Sequence, residues 1–337
     1  MKLKIIEKNI SRFRLTPKGI VKLIDFKEII LNDNSLFISN IGLQELYYNN
    51  NLLYMNNDNG EGLLFNLSDK SKIIFHNEYI KQISNNFIVS FIEGKTKILN
   101  TLSQESVFYP YKILKSFFYE QQKCLVIDHK SEKSIIFSKI KNPLSILSFP
   151  LSTLGTWHDG AIEKPYQVAE FSGIYENTLV CTMTNGDVLL LDIQTGGGKA
   201  FLKNGIAYNL QQIDDSPIFC GLYGYSFVKI NATTGEILNS IDLKPLWKEL
   251  GRNSDEHYVY IGVCIYHNGL LYFLNRNTVG IFDPSTCKII DFQEFEFDCN
   301  QGQQLKGGKE NLQVKDGKIY CLDTLGNLYE LESNAVK

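Results

Sequence analysis

Two short segments of this sequence combine imidazole and carboxylate side chains, the residue types that bind metal ions and transfer protons. They are His158, Asp159 and Glu163 in the first segment and Asp255, Glu256 and His257 in the second. Such groups could form a divalent metal site or an acid–base pair. Neither segment has a ligand spacing such as H-x-x-x-H, and adjacent residues of a strand or loop generally point apart. Chemistry at these residues therefore requires that the fold bring the two segments together.

Both segments also carry residue types that dominate recognition surfaces. Trp157 precedes the first histidine, and Trp247 and Arg252 precede the second. Tryptophan and arginine combine a large contact area with a polar group, so they are frequent at binding hot spots. The sequence predicts a binding surface made of Trp157, His158, Asp159, Glu163, Trp247, Arg252, Asp255 and His257. The alternative is that both segments are covering loops, with the two tryptophans packed inside.

Other motifs assign no catalytic residue. The run Gly196-Gly197-Gly198-Lys199 lacks the spacing and the Ser/Thr of a phosphate-binding loop, and a hairpin turn explains it. There is no G-x-S-x-G elbow and no paired C-x-x-C spacing. The prediction is a protein without a cofactor or a metal ion.

A repeat in the sequence indicates which structural elements position these residues. Seven times a short apolar run is followed by a tight polar turn and a second apolar run. The first residues of those second runs are Leu52, Phe87, Cys124, Leu179, Ile218, Leu270 and Ile319. Their spacing averages about 44 residues, the blade period of a β-propeller. A unit of this length that holds only strands buries both faces of its sheet by packing against its neighbours.

Two passages, GDVLLLDIQTGG and YSFVKINATTGEIL, carry a more specific pattern of a glycine, an apolar strand and a Thr-Gly turn. This pattern resembles the repeats of quinoprotein-like and WD-repeat-like β-propellers. The resemblance implies blades of four antiparallel strands. Quinoprotein-type members commonly carry a tryptophan at the end of each repeat, and Trp157 and Trp247 do not occupy that position. The resemblance therefore implies the fold but no quinone cofactor.

The number of blades depends on the N-terminal strand that completes the last blade. That blade has three strands between Leu312 and Leu331, so a strand from the start of the chain is expected to close it. If Leu36 to Ser39 closes it, there are seven blades and residues 1–34 are an appendage. If Leu3 to Glu7 closes it, residues 1–34 belong to an extra compact blade, the eighth. We predict seven blades in a single domain, residues 1–337, because the first strands are weakly patterned.

Three connections between blades are longer than the others, at residues 141–170, 244–260 and 296–311. Connections of this class emerge on one face of a propeller, so residues far apart in sequence are expected to meet there. Two of these segments contain the candidate residues described above. The long loops are thus predicted to form the functional face.

The composition and charge of the chain limit the classes of function that it can have. The chain of 337 residues has a net charge of −3 without a basic stripe, which argues against nucleic acid binding. Charges interrupt the N-terminal apolar residues, no run approaches membrane-spanning length, and the odd number of seven cysteines suits reduced thiols. We predict a cytoplasmic monomer without membrane contact that binds a protein partner non-catalytically, for example as an inhibitor, an immunity-type protein or a scaffold. The alternative is a metal-assisted lyase or hydrolase acting on a sugar or small polar substrate in the central channel.

Overall fold

The computed structural model describes residues 1–84, 87–119, 123–128, 134–139, 142–203, 207–259 and 263–333. The fold is an all-β propeller whose blades are four-stranded antiparallel sheets. The chain divides into two compact units, one of Ile10–Gly155 and the other of Met1–Asn9 with Thr156–Lys337. They are called the Ile10 unit and the Thr156 unit below.

The Ile10 unit contains four blades, numbered here along the chain. Blade 1 consists of Ile10–Thr16, Gly19–Ile24, Glu28–Leu31 and Asn34–Ile38, and blade 2 of Tyr47–Asn49, Leu52–Asn56, Gly62–Asn66 and Lys72–Phe75. Blade 3 consists of Tyr79–Ser84, Phe87–Ile92, Lys95–Asn100 and Ser106–Tyr109, and blade 4 of Ile113–Tyr119, Lys123–Asp128, Ser134–Lys139 and Asn142–Pro150. A 3-10 helix, Leu151–Leu154, follows blade 4.

The Thr156 unit begins with a separate two-stranded hairpin, Thr156–Asp159 and Ile162–Pro165. Blade 5 consists of Val168–Tyr175, Thr178–Met183, Val188–Asp192 and Gly198–Leu202, and blade 6 of Gln211–Gln212, Ile218–Tyr223, Ser226–Asn231 and Glu236–Asp242. Blade 7 consists of Cys264–His267, Leu270–Leu274, Thr278–Asp283 and Lys288–Glu294, and blade 8 of Leu312–Lys315, Lys318–Leu322, Leu328–Glu332 and the N-terminal Lys2–Glu7. The helices are the α-helix Lys244–Glu249 and the 3-10 helices Ser254–Glu256, Cys299–Gln301 and Lys309–Asn311.

The N-terminal strand completes the last blade, as predicted. Leu3 lies opposite Leu331 and Ile5 opposite Tyr329 in an antiparallel pair. The N-terminal amine lies 3.4 Å from the Asp291 carboxylate of blade 7. The edge of blade 8 is therefore covered by a strand rather than left open.

This pairing corrects the preference for seven blades. Because Lys2–Glu7 joins blade 8, the following strands form a sheet of their own, and the described residues contain four four-stranded sheets in each unit. Residues 10–38 thus form a blade of their own, residues 2–7 belong to blade 8, and neither stretch is an appendage. Two turns of blade 1 contain Asp25 and Phe26, with φ of 47° and 56°, and Asn32 and Asp33, with φ of 46° and 67°. Turns whose residues adopt this left-handed conformation without glycine lack the Asn-Gly or Asp-Gly signature of a hairpin. This explains why the sequence pattern of the first strands is weak.

Apolar side chains fill the spaces between neighbouring blades. Every residue of Thr178–Met183, the second strand of blade 5, is buried. Val180 and Leu190 of blade 5 pack in one cluster with Phe219 and Val228 of blade 6. Since both faces of this inner strand are covered, its residues are buried continuously instead of alternately.

Four cysteines of the Thr156 unit are free, buried thiols: Cys181, Cys220, Cys264 and Cys321. Burial raises the pKa of each, that of Cys264 to about 12. Cys287 is half-buried. Over the portions of chain described here, no helix is both long and apolar enough to cross a membrane.

Candidate functional site

The first candidate segment is the exposed hairpin of the Thr156 unit. Trp157 lies opposite Lys164 across the two strands, and His158 lies opposite Glu163. The Lys164 Nζ atom is 2.5 Å from the Asp159 carboxylate and 5.7 Å from the centre of the Trp157 ring. His158, Asp159 and Glu163 are exposed, and Trp157 is half-buried. The polar groups of the hairpin are thus paired largely with one another.

The second candidate segment buries its largest side chain. Trp247, on the helix Lys244–Glu249, is 0% exposed, and His257 is 2% exposed. Their rings stack with centres 3.9 Å apart and planes at 13°. Phe273 and Phe292 contact the indole edge-on, with centres 6.2 and 5.4 Å away. Trp247 and His257 therefore form the packed base of the loop. This matches the alternative in which the segment is a covering loop with its tryptophan packed inside. Neither side chain is accessible to a partner.

Charged groups surround the buried His257. Its Nε2 atom lies 3.4 Å from a Glu294 carboxylate oxygen, and the Arg252 Nε atom lies 3.3 Å from the same oxygen. The Arg252 guanidinium also lies 5.3 Å above the ring of Phe292. Burial lowers the pKa of His257, although Glu294 and Glu256 act to raise it. Burial thus favours the neutral form of the imidazole.

Asp255 is the exposed acid of this segment, and it is already paired. The Lys244 Nζ atom lies 2.8 Å from its carboxylate and 4.3 Å from the centre of the Tyr225 ring. The hydrogen bond from Lys244 lowers the pKa of Asp255. The Tyr225 hydroxyl donates a 2.8 Å hydrogen bond to the Asp255 backbone carbonyl. These contacts fix the loop against the turn of blade 6.

Four tyrosines beside this loop form a continuous aromatic surface that sequence reasoning missed. We call the set Tyr208, Tyr223, Tyr225 and Tyr258 the tyrosine ladder. Ring centres are 4.3 Å apart for Tyr208 and Tyr223, 5.6 Å for Tyr223 and Tyr258, and 5.4 Å for Tyr225 and Tyr258, all in edge-to-face arrangements. Tyr258 is 38% exposed and the other three are half-buried. The ladder thus presents aromatic faces while its members hold one another in place.

Backbone and hydroxyl contacts fix the ladder. Gly224 and Val259 exchange two backbone hydrogen bonds of 2.9 Å, which join the blade 6 turn to the loop. Gly224 has a φ of +60°, and a Cβ atom there would lie 3.2 Å from the Tyr258 ring. The Tyr258 hydroxyl donates a 2.7 Å hydrogen bond to the Tyr223 hydroxyl. The only signal in the sequence was the Tyr-Gly-Tyr turn at 223–225, because the other two tyrosines come from separate connections.

A cavity of about 590 Å³ opens beside Tyr258 in the Thr156 unit. We call it the Tyr258 cavity. Its walls include Glu256, Tyr258, Arg276, Glu296, Phe297 and Gln303. The long segments 244–260 and 296–311 therefore meet in space. The segments 141–170 and 296–311 are also joined, by the ion pair of Glu170 with Lys309.

A buried carboxylate anchors one wall of this cavity. Asp323 is 0% exposed and accepts a 2.7 Å hydrogen bond from the Gln303 side-chain amide. It also accepts hydrogen bonds from the Tyr329 hydroxyl, at 2.8 Å, and the Asn327 amide, at 2.7 Å. Backbone N–H groups of Leu325 and Asn327 donate to its other oxygen. This network holds the segment after blade 7 in one position at the cavity.

The two sets of imidazole and carboxylate groups do not assemble into a metal site. In the described ranges of the chain, no three His, Cys, Asp or Glu side chains are grouped so that they could hold a metal ion. His158, Asp159 and Glu163 stay together on the hairpin, whereas His257 is buried beneath Trp247. The predicted contact residues that remain accessible are those of the hairpin together with Arg252 and Asp255.

Comparison with known proteins places the fold. No protein-family model matches this chain, and no curated protein matches it in sequence. Among solved structures it is similar to the computationally designed Ika8 protein, with a TM-score of 0.66 and 14% identity over 98% of each chain. It is similar to BamB from Moraxella catarrhalis, with a TM-score of 0.66 and 10% identity over 99% of each chain. The C-terminal WD40 domain of Sif2 gives a TM-score of 0.67 and 13% identity over 98% of each chain.

These likenesses confirm the β-propeller resemblance at the level of the fold. At 10 to 14% identity they carry no residue-level correspondence. The side chains of this chain itself are therefore the guide to its function.

Proposed function

We propose that this protein is a non-catalytic β-propeller that binds another protein through the tyrosine ladder and the adjoining Tyr258 cavity. The observation that carries the proposal is the ladder itself, four ordered tyrosines at the surface of the Thr156 unit. Tyrosine is among the residues most enriched at binding hot spots, because it offers a large amphipathic contact at a low cost in side-chain entropy.

The ladder is preorganised for contact. The Tyr208 hydroxyl donates to the Thr184 carbonyl, the Tyr225 hydroxyl to the Asp255 carbonyl and the Tyr258 hydroxyl to Tyr223. Burial raises the pKa of Tyr208 to about 12 and also raises that of Tyr258, so these hydroxyls stay protonated. A partner that covers the rings would not have to immobilise them, which removes part of the entropic cost of binding.

A scaffold, an inhibitor and an immunity-type protein would each use a rigid surface of this kind. The buried free thiols support action in a reducing compartment such as the cytoplasm. We place the protein there as a single-domain monomer. The metal-assisted lyase or hydrolase needs His158, Asp159 and Glu163 to meet Asp255 and His257, and no observation favours that grouping.

The test compares capture of proteins from the native cell by the wild type and by Tyr258→Ala, with Phe108→Ala as the matched control. Phe108 is an exposed aromatic residue of the Ile10 unit, 51% exposed, and lies outside the ladder. We expect one protein to be retained in stoichiometric amount by the wild type and the control. Removing a hot-spot aromatic costs at least ~2 kcal/mol, so Tyr258→Ala should weaken its binding about 30-fold.

Binding constants are then measured with the purified partner, and thermal unfolding confirms that each variant folds. Equal affinity of the wild type and a folded Tyr258→Ala for that partner would contradict the proposal. So would the absence of any partner retained in stoichiometric amount.

A further inference from the structure

We infer that the Tyr258 cavity receives a cationic side chain, arginine or lysine, from the protein that the tyrosine ladder binds. This inference rests on the proposed function and names the chemistry of the group that enters the cavity. Three observations support it: the charges at the cavity, its aromatic walls, and the way in which the chain holds its own lysine beside it.

The charges at the cavity favour a cation. Asp255, which also lines it, is neutralised by Lys244 at 2.8 Å. Of the remaining charged groups, Glu256 accepts one hydrogen bond, 2.7 Å long, from the Asn253 side-chain amide. Glu296 is exposed, and no hydrogen-bond or ion-pair partner is found for it among the described residues. Two carboxylates thus face one guanidinium, that of Arg276, so a cation is the complementary ligand.

Aromatic walls add a second attraction for a cation. Phe295 and Phe297 stack with ring centres 5.1 Å apart and planes at 20°. Phe295 is buried, so Phe297 and Tyr258 are the aromatic side chains of the cavity lining that keep exposed surface. A guanidinium or ammonium group above an aromatic face is attracted by the negative charge of that face. The volume of about 590 Å³ is large enough for a side chain of this size together with neighbouring backbone.

The chain binds its own lysine in this manner next to the cavity. Lys244 places its ammonium group 4.3 Å from the centre of the Tyr225 ring and 2.8 Å from the Asp255 carboxylate. The cavity lining also includes an aromatic side chain, Phe297, and a carboxylate, Glu296, for which no ion-pair partner is found among the described residues. The cavity lining thus contains the same two types of group that bind the Lys244 ammonium nearby.

Arg276 distinguishes a cationic ligand of the cavity from an anionic or zwitterionic one. It is exposed at the cavity, and as a like charge it opposes an incoming cation. Its removal should therefore strengthen the binding of a cationic group. If the cavity instead served a carboxylate or a zwitterion, Arg276 would be the attractive group and its removal would weaken binding.

The experiment uses small probes that need no knowledge of the partner. The binding of N-acetyl-arginine amide, and of its uncharged counterpart N-acetyl-citrulline amide, is measured by saturation-transfer NMR on the full-length protein. The variants are Glu296→Gln and Arg276→Gln, with Glu236→Gln as the matched control. Glu236 is an exposed residue of blade 6 that does not line the cavity.

We expect the arginine probe to bind with a dissociation constant on the order of 1 mM, given its size. The citrulline probe should bind at least about tenfold more weakly, and Glu296→Gln should weaken arginine binding several-fold. Arg276→Gln should strengthen it several-fold, and the control should match the wild type. Salt should weaken the arginine probe more than the citrulline probe. Equal binding of the two probes, or weaker binding in Arg276→Gln, would overturn the inference.

The inference and the proposed function can fail separately. If Tyr258→Ala abolishes binding of the purified partner while Glu296→Gln leaves its affinity unchanged, the ladder binds protein without an inserted cation. The inference would then be wrong and the proposed function would stand. If neither variant changes the affinity, both are wrong.

Discussion

Replacement of Trp247 tests whether this residue belongs to the packing of the loop or to a binding surface. Its side chain is fully buried, stacked on His257 and bordered by Phe273 and Phe292. Truncating a buried aromatic side chain to alanine costs about 3–5 kcal/mol, from lost transfer free energy and the cavity left behind. We therefore expect Trp247→Ala to lower the free energy of unfolding by about that amount.

A phenylalanine at the same position should cost much less. The Trp247 indole N–H is buried, and no hydrogen-bond partner is found for it among the described residues. An unsatisfied buried donor costs about 1–3 kcal/mol, and Trp247→Phe removes it together with some ring volume. The two effects oppose each other, so the net loss should be about 1 kcal/mol.

Urea unfolding followed by far-UV circular dichroism measures both variants. Trp157→Ala serves as the comparison, because Trp157 is half-buried on the exposed hairpin, and it should lose less stability than Trp247→Ala. If Trp247→Ala stays within about 1 kcal/mol of the wild type, the assignment of this residue to the packed base of the loop is wrong.

The titration of His257, the hydrogen bonds of Asp323 and the accessibility of two cysteines provide further tests. Because burial lowers the pKa of His257, its contribution to stability is complete above about pH 6.5 and declines as the pH falls toward the lowered pKa of the folded state. The wild type should therefore lose more unfolding free energy between pH 7 and pH 5 than His257→Gln; identical slopes for the two proteins would contradict this. Asp323→Asn should lower the unfolding free energy by about 2–3 kcal/mol, since a carboxylate that accepts several hydrogen bonds is lost, and thermal unfolding checks this against the exposed Asp298→Asn. Native alkylation followed by peptide mass spectrometry should modify half-buried Cys287 well before buried Cys220, and faster labelling of Cys220 would refute the packing between blades 6 and 7.

The fold could be predicted because each blade repeats a local signal. Asn185-Gly186 and the Thr-Gly turns mark the hairpins of blades 5 and 6, and the apolar strands between them must be buried on both faces. Blade 1 could not be predicted from such turn signals, because its turns place Asp25 and Asn32 at positive φ without a glycine after them. Leu243, Leu246, Trp247 and Leu250 have the i, i+3, i+4, i+7 spacing that is typical of a helix, and the structure has one at Lys244–Glu249.

The site was less accessible to sequence reasoning. Residue type suggested Trp247 and His257 as contact residues, but burial of a loop residue depends on which blade lies beneath it, and Phe273 and Phe292 belong to blade 7. The tyrosine ladder was missed for the converse reason. Tyr208, Tyr223 and Tyr258 are ordinary strand-end or loop residues in sequence. The backbone bridge of Gly224 with Val259, which the sequence does not reveal, brings Tyr258 to the blade 6 turn.

The most direct test of the account is a hydrogen–deuterium exchange footprint of the protein with its purified partner. We predict that binding slows exchange at residues 223–225, 254–259 and 295–303, the backbone of the tyrosine ladder and the Tyr258 cavity. Protection confined to the hairpin Thr156–Pro165 or to the Ile10 unit, with these segments unchanged, would contradict it.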